Sequence, residues 1–267
     1  MRVRSTLTAL TATALAAVAV SAAPATAAGR TPDDLRELAR KTGVQIGSAV
    51  DVTALANEAD YRDVLNREFN AVTAENAMKW ESVEPQRGVF DWSGADAVVA
   101  NARRNHQTVR GHTLVWHNQL PAWLTEGVAA GTITSTELRG ILRDHIRTEV
   151  GRYRGKVAYW DVVNEAFNED GTLRQTIWLD QLGPGYIADA FRWAHQADPK
   201  AKLYYNDFNL ESIGPKSDAA LALVGQLRAQ RVPIHGVGFQ GHLAIQFGFP
   251  SDLADNFRRF AAAGMDV

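Results

Sequence analysis

The 267 residues are 46% hydrophobic and 22% charged, which is the composition of an ordinary globular protein. A formal net charge of −2 argues against a nucleic-acid-binding protein, because such proteins usually carry a basic surplus. The chain has no cysteine, which excludes disulfides, thiolate zinc ligands and cysteine nucleophiles.

The first 28 residues differ in composition from the rest of the chain. Two arginines among the first four residues precede Leu7–Val20, which consists of Ala, Leu, Val and Thr. Small residues at Ala25 and Ala27 then fit a signal-peptidase site. The apolar stretch is shorter than the roughly 20 residues that a transmembrane helix needs. We therefore predict a secretory signal peptide over residues 1–28 and a secreted protein; an N-terminal anchor that stays attached is the alternative.

From Thr31 onward, short β-branched or aromatic runs alternate with longer amphipathic stretches. The predicted strands are Val44–Val50, Ala71–Thr73, Thr108–Val115, Val157–Val163, Lys202–Asn206 and Ile234–Phe239. The predicted helices are Leu35–Thr42, Asp60–Glu68, Gly94–Asn105, Ser135–Tyr153, Gly185–Ala197, Lys216–Arg231 and Ser251–Ala263. Strands that alternate with helices indicate parallel βαβ units.

The number of these units decides between two α/β architectures. Six strand-plus-helix units follow the first helix, and Gly264–Val267 resembles the start of a seventh strand. A doubly wound sheet would suit six strands, but the residues after Val44–Val50, namely Asp51–Leu55, contain no glycine-rich phosphate loop. A closed barrel needs eight units. The predicted fold is therefore a (β/α)8 TIM barrel that is incomplete, occupying residues 29–267 as one catalytic domain.

Polar and aromatic residues follow the predicted strands, on the face where barrel enzymes build their active sites. Glu165 comes directly after the fourth strand, next to Asn164. Glycoside hydrolysis needs a proton donor at the leaving oxygen and, on the retaining route, a carboxylate nucleophile about 5–5.5 Å away. Glu165 is a candidate for the donor. Its alternative role is that of a helix cap or a salt-bridge carboxylate.

Other residues at the same strand ends suit a ligand rich in hydroxyl groups. Trp80 and Trp116 offer flat apolar faces to sugar rings, although packing in the core is the ordinary role of a tryptophan. Multi-donor side chains follow the second, third and fifth strands: Asn76, Lys79, Gln119 and Asn206. His112 and His117 are five residues apart, which on a strand would direct them to opposite faces. We predict no metal and no cofactor.

Four sequence runs resemble glycoside hydrolase family 10, whose members are mostly endo-1,4-β-xylanases. They are Thr73–Trp80, Gly111–His117, Trp160–Glu165 and Gly238–His242, and they occur in the family's order and at similar spacing. The resemblance extends from about Leu35 to the last residue. It implies a retaining endo-1,4-β-xylanase whose partners are xylan and xylo-oligosaccharides, with neither nucleic acid nor membrane, and a monomer when full length.

The resemblance also implies roles for individual residues. Glu165 resembles the general acid/base, and Asn164 the residue that binds the 2-hydroxyl of the sugar at the cleavage point. The remaining expected substrate-binding residues are Glu75, Asn76, Lys79, His112, Trp116, Gln119, Asn206, Phe208, Gln240 and His242. Of these, Gln240 and His242 resemble partners of the nucleophile. A strained peptide in the family corresponds to His112–Thr113, where we expect a cis bond.

Two departures from the family pattern stand out. Phe208 occupies a position where the family commonly has Tyr, which would keep a stacking face and lose a hydroxyl. In the family, the counterpart of Asp266–Val267 is followed closely by a strand that carries the nucleophilic Glu, so we expect that residue beyond Val267. Without it, the double-displacement route has no covalent step, and we expect this fragment to be inactive alone.

Two other functions remain open at this stage. A related barrel β-1,4-glucanase or mannanase also places Asn-Glu after its fourth strand, although the runs around Lys79 and Trp116 favour the xylanase. A non-catalytic xylan-binding fragment would keep the tryptophans and do without the nucleophile.

Overall fold

The structure is a computed structural model, and it describes residues 34–267, where short strands alternate with helices. The predicted signal peptide lies outside these residues, so it stays a prediction, as does the domain boundary at residue 29. The described residues all belong to one unit by their internal contacts. Among the described residues, no helix has the length and apolar character needed to cross a membrane.

The strands and helices of residues 34–267 follow one another in the predicted order. The strands are β1 Gly47–Val50, β2 Ala71–Ala74, β3 Thr108–Val115, β4 Tyr159–Asn164, β5 Lys202–Asp207 and β6 Gly236–Phe239. The helices are α1 Leu35–Thr42, α2 Val52–Asn57, α3 Ala59–Glu68, α4 Trp80–Val83, α5 Ser93–Arg104, α6 Ala122–Ala129, α7 Ser135–Arg152, α8 Ile177–Leu182, α9 Tyr186–Ala197, α10 Pro215–Ala229 and α11 Leu253–Ala262. A 3-10 turn, Ile245–Phe247, follows β6.

Four of these helices, α2, α4, α6 and α8, were not predicted from the sequence. Each has four to eight residues, which is too short to show a clear 3.6-residue period. Local caps support two of them: the carboxylate of Asp51 accepts from the backbone N–H of Ala54, and the hydroxyl of Thr176 accepts from that of Leu179. All four lie in segments that follow strands, where barrel enzymes carry their functional loops.

The strands form one parallel sheet in which sequence order and spatial order agree, from β1 to β6. Beyond β6, Asp266 forms a parallel bridge with Gly236, and its carbonyl accepts a hydrogen bond from Val237 N–H at 2.9 Å. This bridge confirms that a seventh strand begins at the end of the described residues. The arrangement is that of a (β/α)8 barrel represented by six complete units, as the sequence predicted.

The core lies between the sheet and the helices that cover its outer face. Trp160 on β4 and both Leu203 and Tyr205 on β5 are completely buried there. They belong to the same apolar cluster as Ile146 of α7 and Phe191 of α9. Because these helices pack on one face of the sheet, the residues that alternate with the core positions point to the other face, the inside of the barrel.

The inward face of the central strands is polar and tightly connected. The guanidinium of Arg110 on β3 binds the carboxylate of Asp161 on β4 and lies 4.7 Å from the ring centroid of Tyr204 on β5. The Tyr204 hydroxyl donates to Asp266 at 2.9 Å. Side chains from three successive strands and from the start of the seventh therefore fill the barrel beneath the carboxyl ends of the strands.

A glycine permits the close packing of β3 against β4. A Cβ atom added at Gly111 would collide with the ring of Trp160, which lies across the glycine backbone. The two residues are register partners in the sheet. Gly111 is therefore required by the space that the Trp160 side chain occupies, and its own backbone dihedrals are ordinary for a strand.

Candidate active site

Glu165 is the first residue after β4, and its backbone is held in an unusual conformation. Its φ angle is +58°, in the left-handed region that non-glycine residues seldom adopt. The Glu165 N–H donates to the Asn206 carbonyl at 2.9 Å, and the Glu165 carbonyl accepts from Nε of Arg174 at 3.1 Å. These two contacts hold the backbone that aims the carboxyl group into the mouth of the barrel.

Two neutral donors bind the two oxygens of the Glu165 carboxyl group. Trp116 Nε1 donates to Oε2 at 2.8 Å, and Gln240 Nε2 donates to Oε1 at 3.0 Å. The side chain is half-buried. A carboxyl group that is fixed on both oxygens and still reachable by a ligand can act as a proton donor and acceptor.

Asn164, at the end of β4, presents a hydrogen-bond donor that no protein group uses. Its Oδ1 accepts from Asn206 Nδ2 at 2.7 Å and from Gln240 Nε2 at 3.2 Å. Its Nδ2 is buried and lacks a partner among the described residues. A buried amide without a partner is costly, so this N–H2 group is suited to bind a ligand hydroxyl beside Glu165.

Gln240 and His242 follow β6, and Gln240 binds the Glu165 oxygen that Trp116 does not. The Oε1 atom of Gln240 lies 2.9 Å from Nε2 of His242. The resemblance pairs these residues with the nucleophile, whereas in the described residues the Gln240 amide contacts Glu165 and Asn164. His242 is exposed and its ring lies at the edge of the site.

Lys79 is the centre of a second polar cluster, after β2. Its Nζ donates to Gln119 Oε1 at 2.8 Å and to Asn76 Oδ1 at 3.4 Å, and it lies 5.0 Å from the ring centroid of Trp116. Burial lowers the pKa of Lys79, opposed by the negative charges of Glu75, Glu81 and Glu165. The predicted residues Glu75, Asn76, Lys79, Gln119 and Trp116 are thus brought together on one side of Glu165.

His112 lies deeper, against the polar interior of the barrel. Its Nδ1 is 2.9 Å from Oδ2 of Asp161, the carboxylate that also binds Arg110. Burial opposes the ionisation of Asp161, but the positive charge of Arg110 and the hydrogen bond from His112 outweigh it and hold the pKa of Asp161 below its usual value. Nδ1 of His112 therefore carries the proton, which leaves Nε2 free for a ligand. The peptide bond His112–Thr113 is cis, as the resemblance implied.

His117 does not lie on a strand, because β3 ends at Val115. The prediction that its spacing from His112 directs the two rings to opposite faces of a strand was therefore wrong, because His117 lies two residues beyond the strand end, which the sequence had predicted correctly at Val115. Burial and the nearby Arg174 lower the pKa of His117. Within residues 34–267, no group of three or more His, Asp or Glu side chains is arranged to hold a metal ion.

Phe208, after β5, has one ring face already in contact with a cation. Nζ of Lys216 lies 3.5 Å from the ring centroid and also pairs with Asp207 at 3.1 Å and Glu169 at 3.0 Å. Arg174 also lies over the ring, with its guanidinium carbon 5.9 Å from the centroid, so two cations already contact Phe208. The predicted substrate contact at this position stays a prediction, with a smaller available surface than the sequence indicated.

Four residues of the site have no predicted role: Arg110, Asp161, Arg174 and Lys216. Asp161 binds both Arg110 and His112. Arg174 donates to the backbone carbonyl of Glu165. A carboxylate within the apolar run of β4 is the one signal in the sequence that could have indicated a buried charge pair. Arg174 and Lys216 lie on a loop and a helix with no pattern that marks them.

Comparisons with known proteins match the chain to one family and to several of its members. The profile of Glycosyl hydrolase family 10 matches residues 34–267. An endo-1,4-beta-xylanase of Agaricus bisporus is 45% identical over 84% of this chain and 63% of its own length. Endo-1,4-beta-xylanase B of Thermotoga neapolitana is 42% identical over 87% of this chain and 67% of its own length.

Solved structures give the same result for the fold. Xylanase 10B of Thermotoga petrophila in complex with xylobiose is 42% identical, has a TM-score of 0.82, and is matched over 87% of this chain and 70% of its own. A Penicillium canescens endo-1,4-beta-xylanase has a TM-score of 0.82 at 35% identity. The chain thus spans roughly two thirds of the length of the relatives that it matches.

Proposed function

The chain belongs to glycosyl hydrolase family 10, and from that membership we propose that its protein is an endo-1,4-β-xylanase that hydrolyses internal bonds of xylan. Xylan and xylo-oligosaccharides are its proposed ligands, in keeping with the names of the relatives and with the xylobiose in one solved structure. One observation carries the proposal: the carboxyl group of Glu165 lies beside the unpartnered Nδ2 of Asn164.

Glu165 is the proposed general acid/base. Trp116 and Gln240 fix its two oxygens, so the carboxyl group can be presented to the glycosidic oxygen without further rearrangement. Protonation of that oxygen lets the leaving sugar depart as an alcohol. Asn164 would bind the 2-hydroxyl of the sugar at the cleavage point, where such hydrogen bonds strengthen in the transition state.

The Lys79 cluster is the proposed site for the sugars on the non-reducing side. Lys79, Gln119 and Asn76 offer donors and acceptors in one mutually bonded group, next to the indole of Trp116. Glu75 lies close enough to act on the charge of Lys79. The same arrangement suits a chain of hydroxyl-bearing rings, each held by a few polar contacts and one flat apolar surface.

The nucleophile of the proposed retaining route belongs on the strand that begins at Asp266. That strand runs parallel to β6, and Asp266 lies beside Gly236. A continuation in register would reach the level of Gln240 about four residues after Asp266, because paired parallel strands advance at the same rise. A carboxylate there would face Glu165 across the site, as the double displacement requires. A polypeptide that ends at Val267 is accordingly expected to be inactive.

Export of the protein is also part of the proposal. It rests on the composition of residues 1–28, with a basic start, an apolar stretch and small residues at a cleavage position. A polymeric substrate such as xylan is reached outside the cell. Cleavage of the leader would be measured by mass spectrometry of the secreted protein.

The decisive test compares two polypeptides on xylan: one that ends at Val267, and one continued through the rest of a family 10 barrel. We expect only the longer one to release reducing sugar, with the β-anomer as the first product by proton NMR. Hydrolysis of xylan by the shorter polypeptide would contradict the placement of the nucleophile. Xylan binding by both without hydrolysis would favour a non-catalytic xylan-binding protein.

The role of Glu165 is tested in the longer polypeptide. Glu165→Ala is expected to lower the rate on xylan by about 10²- to 10⁴-fold. Sodium azide should restore turnover of an aryl β-xylobioside and yield β-xylobiosyl azide with release of the phenol, because the small anion can replace water at the xylobiosyl-enzyme. A product of inverted configuration would rule out the retaining route.

A further inference from the structure

Arg174 lies nine residues beyond Glu165, on a loop that turns back towards the end of β4. The chain reverses around Gly171, whose φ is +81°. Across this turn, Phe167 and Leu173 form an antiparallel bridge. The loop thereby returns Arg174 to the stretch of backbone that follows Glu165.

Arg174 donates hydrogen bonds to the carbonyl groups of three consecutive residues. Its Nε reaches the carbonyl of Glu165 at 3.1 Å, and its Nη2 reaches that of Phe167 at 3.1 Å. The backbone N–H of Arg174 donates to the Ala166 carbonyl at 2.7 Å. A guanidinium group holds its donors in one rigid plane, so it can bind two neighbouring carbonyls at once. The Arg174 side chain therefore serves the backbone around Glu165 directly.

The peptide group between Glu165 and Ala166 is bound at both of its polar ends. Its carbonyl accepts from Arg174, and its N–H donates to the hydroxyl oxygen of Tyr205 at 3.1 Å. The Tyr205 hydroxyl in turn donates its proton to Asp207. Tyr205 and Asp207 are completely buried. Two side chains from different parts of the chain thus hold one peptide plane.

The peptide group before Glu165 is also bound, because its N–H donates to the Asn206 carbonyl at 2.9 Å. A residue has only two soft backbone torsions, so fixing the peptide planes on both sides fixes the direction of its Cα–Cβ bond. For Glu165 this direction belongs to a φ of +58°, which a residue other than glycine keeps only when its surroundings hold it there. The carboxyl group then meets Trp116 Nε1 at 2.8 Å and Gln240 Nε2 at 3.0 Å.

We propose that Arg174 is a positioning residue for the general acid/base: by holding the carbonyls of Glu165 and Phe167, it keeps the Glu165 carboxyl group where the leaving sugar receives its proton. The role rests on the proposed function of Glu165. Without the two side-chain hydrogen bonds, the peptide after Glu165 is free to rotate and its carboxyl group moves with it. A displacement of about 1 Å at a reacting group can cost on the order of 10²-fold in rate.

The position of the carboxyl group is measured first without any substrate, in the longer polypeptide. The indole N–H of Trp116 donates to Glu165, so its proton resonance in 15N-labelled protein reports on that hydrogen bond, and Trp116→Phe assigns the resonance. In Arg174→Met we expect the resonance to move upfield, towards that of a free indole. Arg62→Met is the matched control, because the guanidinium of Arg62 also donates to two backbone carbonyls, both in α2 and both at 3.0 Å. Its Trp116 resonance should not move.

Two leaving groups then separate a positioning role from a general loss of structure. The leaving alcohol of xylotetraose needs the proton of Glu165, so Arg174→Met should lower kcat/KM on this substrate by about 10- to 100-fold. The phenolate of 2,4-dinitrophenyl β-xylobioside departs without a proton, so kcat/KM should fall by less than about threefold there. Arg174→Lys can bind only one of the two carbonyls at a time and should give an intermediate loss on xylotetraose. Arg62→Met should change either value by less than about twofold.

Two results would overturn the proposal: an equal loss of kcat/KM on the two substrates, and an unmoved Trp116 resonance in Arg174→Met. If Arg174→Met does not fold, Arg174→Lys gives the same comparison, since a loss confined to xylotetraose supports the proposal and a loss shared by both substrates overturns it. A longer polypeptide that hydrolyses neither substrate would refute the proposed function alone, because the Trp116 resonance still shows whether Arg174 positions the carboxyl group of Glu165.

Discussion

Two buried carboxyl groups, Asp161 on β4 and Glu149 on α7, show how differently this protein treats a charge in its interior. Both are almost completely inaccessible to solvent. Asp161 binds Arg110 through two nitrogens and His112 at 2.9 Å, and its pKa is held below the usual value. For Glu149, the nearest basic group is His145, at 3.5 Å, and neither carboxyl oxygen has a hydrogen-bond partner in residues 34–267.

Burial decides the protonation of the pair on α7. It raises the pKa of Glu149 well above its ordinary value and lowers that of His145 to about 3. Burial therefore favours the uncharged form of both groups, so their separation of 3.5 Å is not by itself that of an ion pair. The difference between the two sites follows from the number of partners, since a buried charge persists only where it is paired and hydrogen-bonded. The charge that is kept, on Asp161, orients a residue of the candidate active site.

The largest loss of stability is expected when the ion pair between Asp161 and Arg110 is broken. Asp161→Asn leaves the Arg110 guanidinium without a counter-charge inside the barrel, and should lower the free energy of unfolding by about 3–5 kcal/mol. It also replaces one of the two acceptor oxygens by an NH2 group, so Arg110 and His112 are left with a single acceptor. Denaturant unfolding measures the loss. Arg110→Leu with Asp161→Leu removes both charges and should cost less; a larger cost than that of Asp161→Asn would contradict the charge-pair explanation.

The second-largest effect is the loss of stability that His145 causes at low pH. Its folded pKa of about 3 lies below the unfolded value of about 6.5, so the unfolded chain binds a proton that the folded chain does not. The stability that His145 contributes is fully present above pH 6.5 and is lost as pH falls from there towards 3, by up to about 5 kcal/mol. His145→Phe keeps a ring against Trp80 and removes the titration, so its unfolding free energy should depend less on pH between 6.5 and 3.

Glu149 should act in the opposite direction and at higher pH. Because its pKa is raised in the folded state, the unfolded chain loses its proton first as pH rises above about 4.5. The protein is thus destabilised progressively towards the folded pKa. Glu149→Gln cannot ionise, and its stability relative to the unchanged protein should increase from pH 5 to pH 9 in paired thermal melts. A constant difference across that range would show that the pKa of Glu149 is the same in the folded and unfolded states, and would contradict the prediction.

The smallest effect on stability and activity is expected from a change in the contacts that link His145 of α7 to the candidate active site. Trp80 is stacked between His145, at 3.6 Å, and Trp178, at 5.7 Å between ring centroids. Trp178 donates its indole N–H to the Trp116 carbonyl at 2.7 Å, and Trp116 in turn donates to Glu165. Trp178→Phe keeps the stack and removes one hydrogen bond, at a cost of about 1 kcal/mol. In the longer polypeptide, kcat should fall by a few fold and KM should change little.

The fold was largely predictable from the sequence because strand-like and helix-like segments alternate regularly along it. Strand β3 and helix α1 have the predicted bounds, and the other predicted strands and helices differ by a few residues at their ends. The alternation of strands and helices predicts a parallel sheet. Because no glycine-rich phosphate loop follows the first strand, a doubly wound sheet is disfavoured and a barrel is the remaining architecture. The short helices were missed because four to eight residues of local pattern do not distinguish a helix turn from a loop.

The candidate site was predictable as a set of residues but not as a network. The strand ends placed Glu165, Asn164 and Gln240 together, yet nothing local shows that Gln240 donates to Glu165 itself. The pair His145 and Glu149 was not predicted at all. On the sequence they are an ordinary i, i+4 pair of polar residues, and only the packing of α7 against the sheet buries them.

The contact between Gly111 and Trp160 also restricts how the sequence can diverge. A side chain larger than hydrogen at position 111 meets the indole, and a smaller residue at position 160 leaves a cavity over the glycine. Each single change is therefore harmful, whereas a larger residue at 111 combined with a smaller one at 160 could refill the space. In descendants of this gene the two positions are expected to vary together, and a lineage that fixes one change is committed to the other.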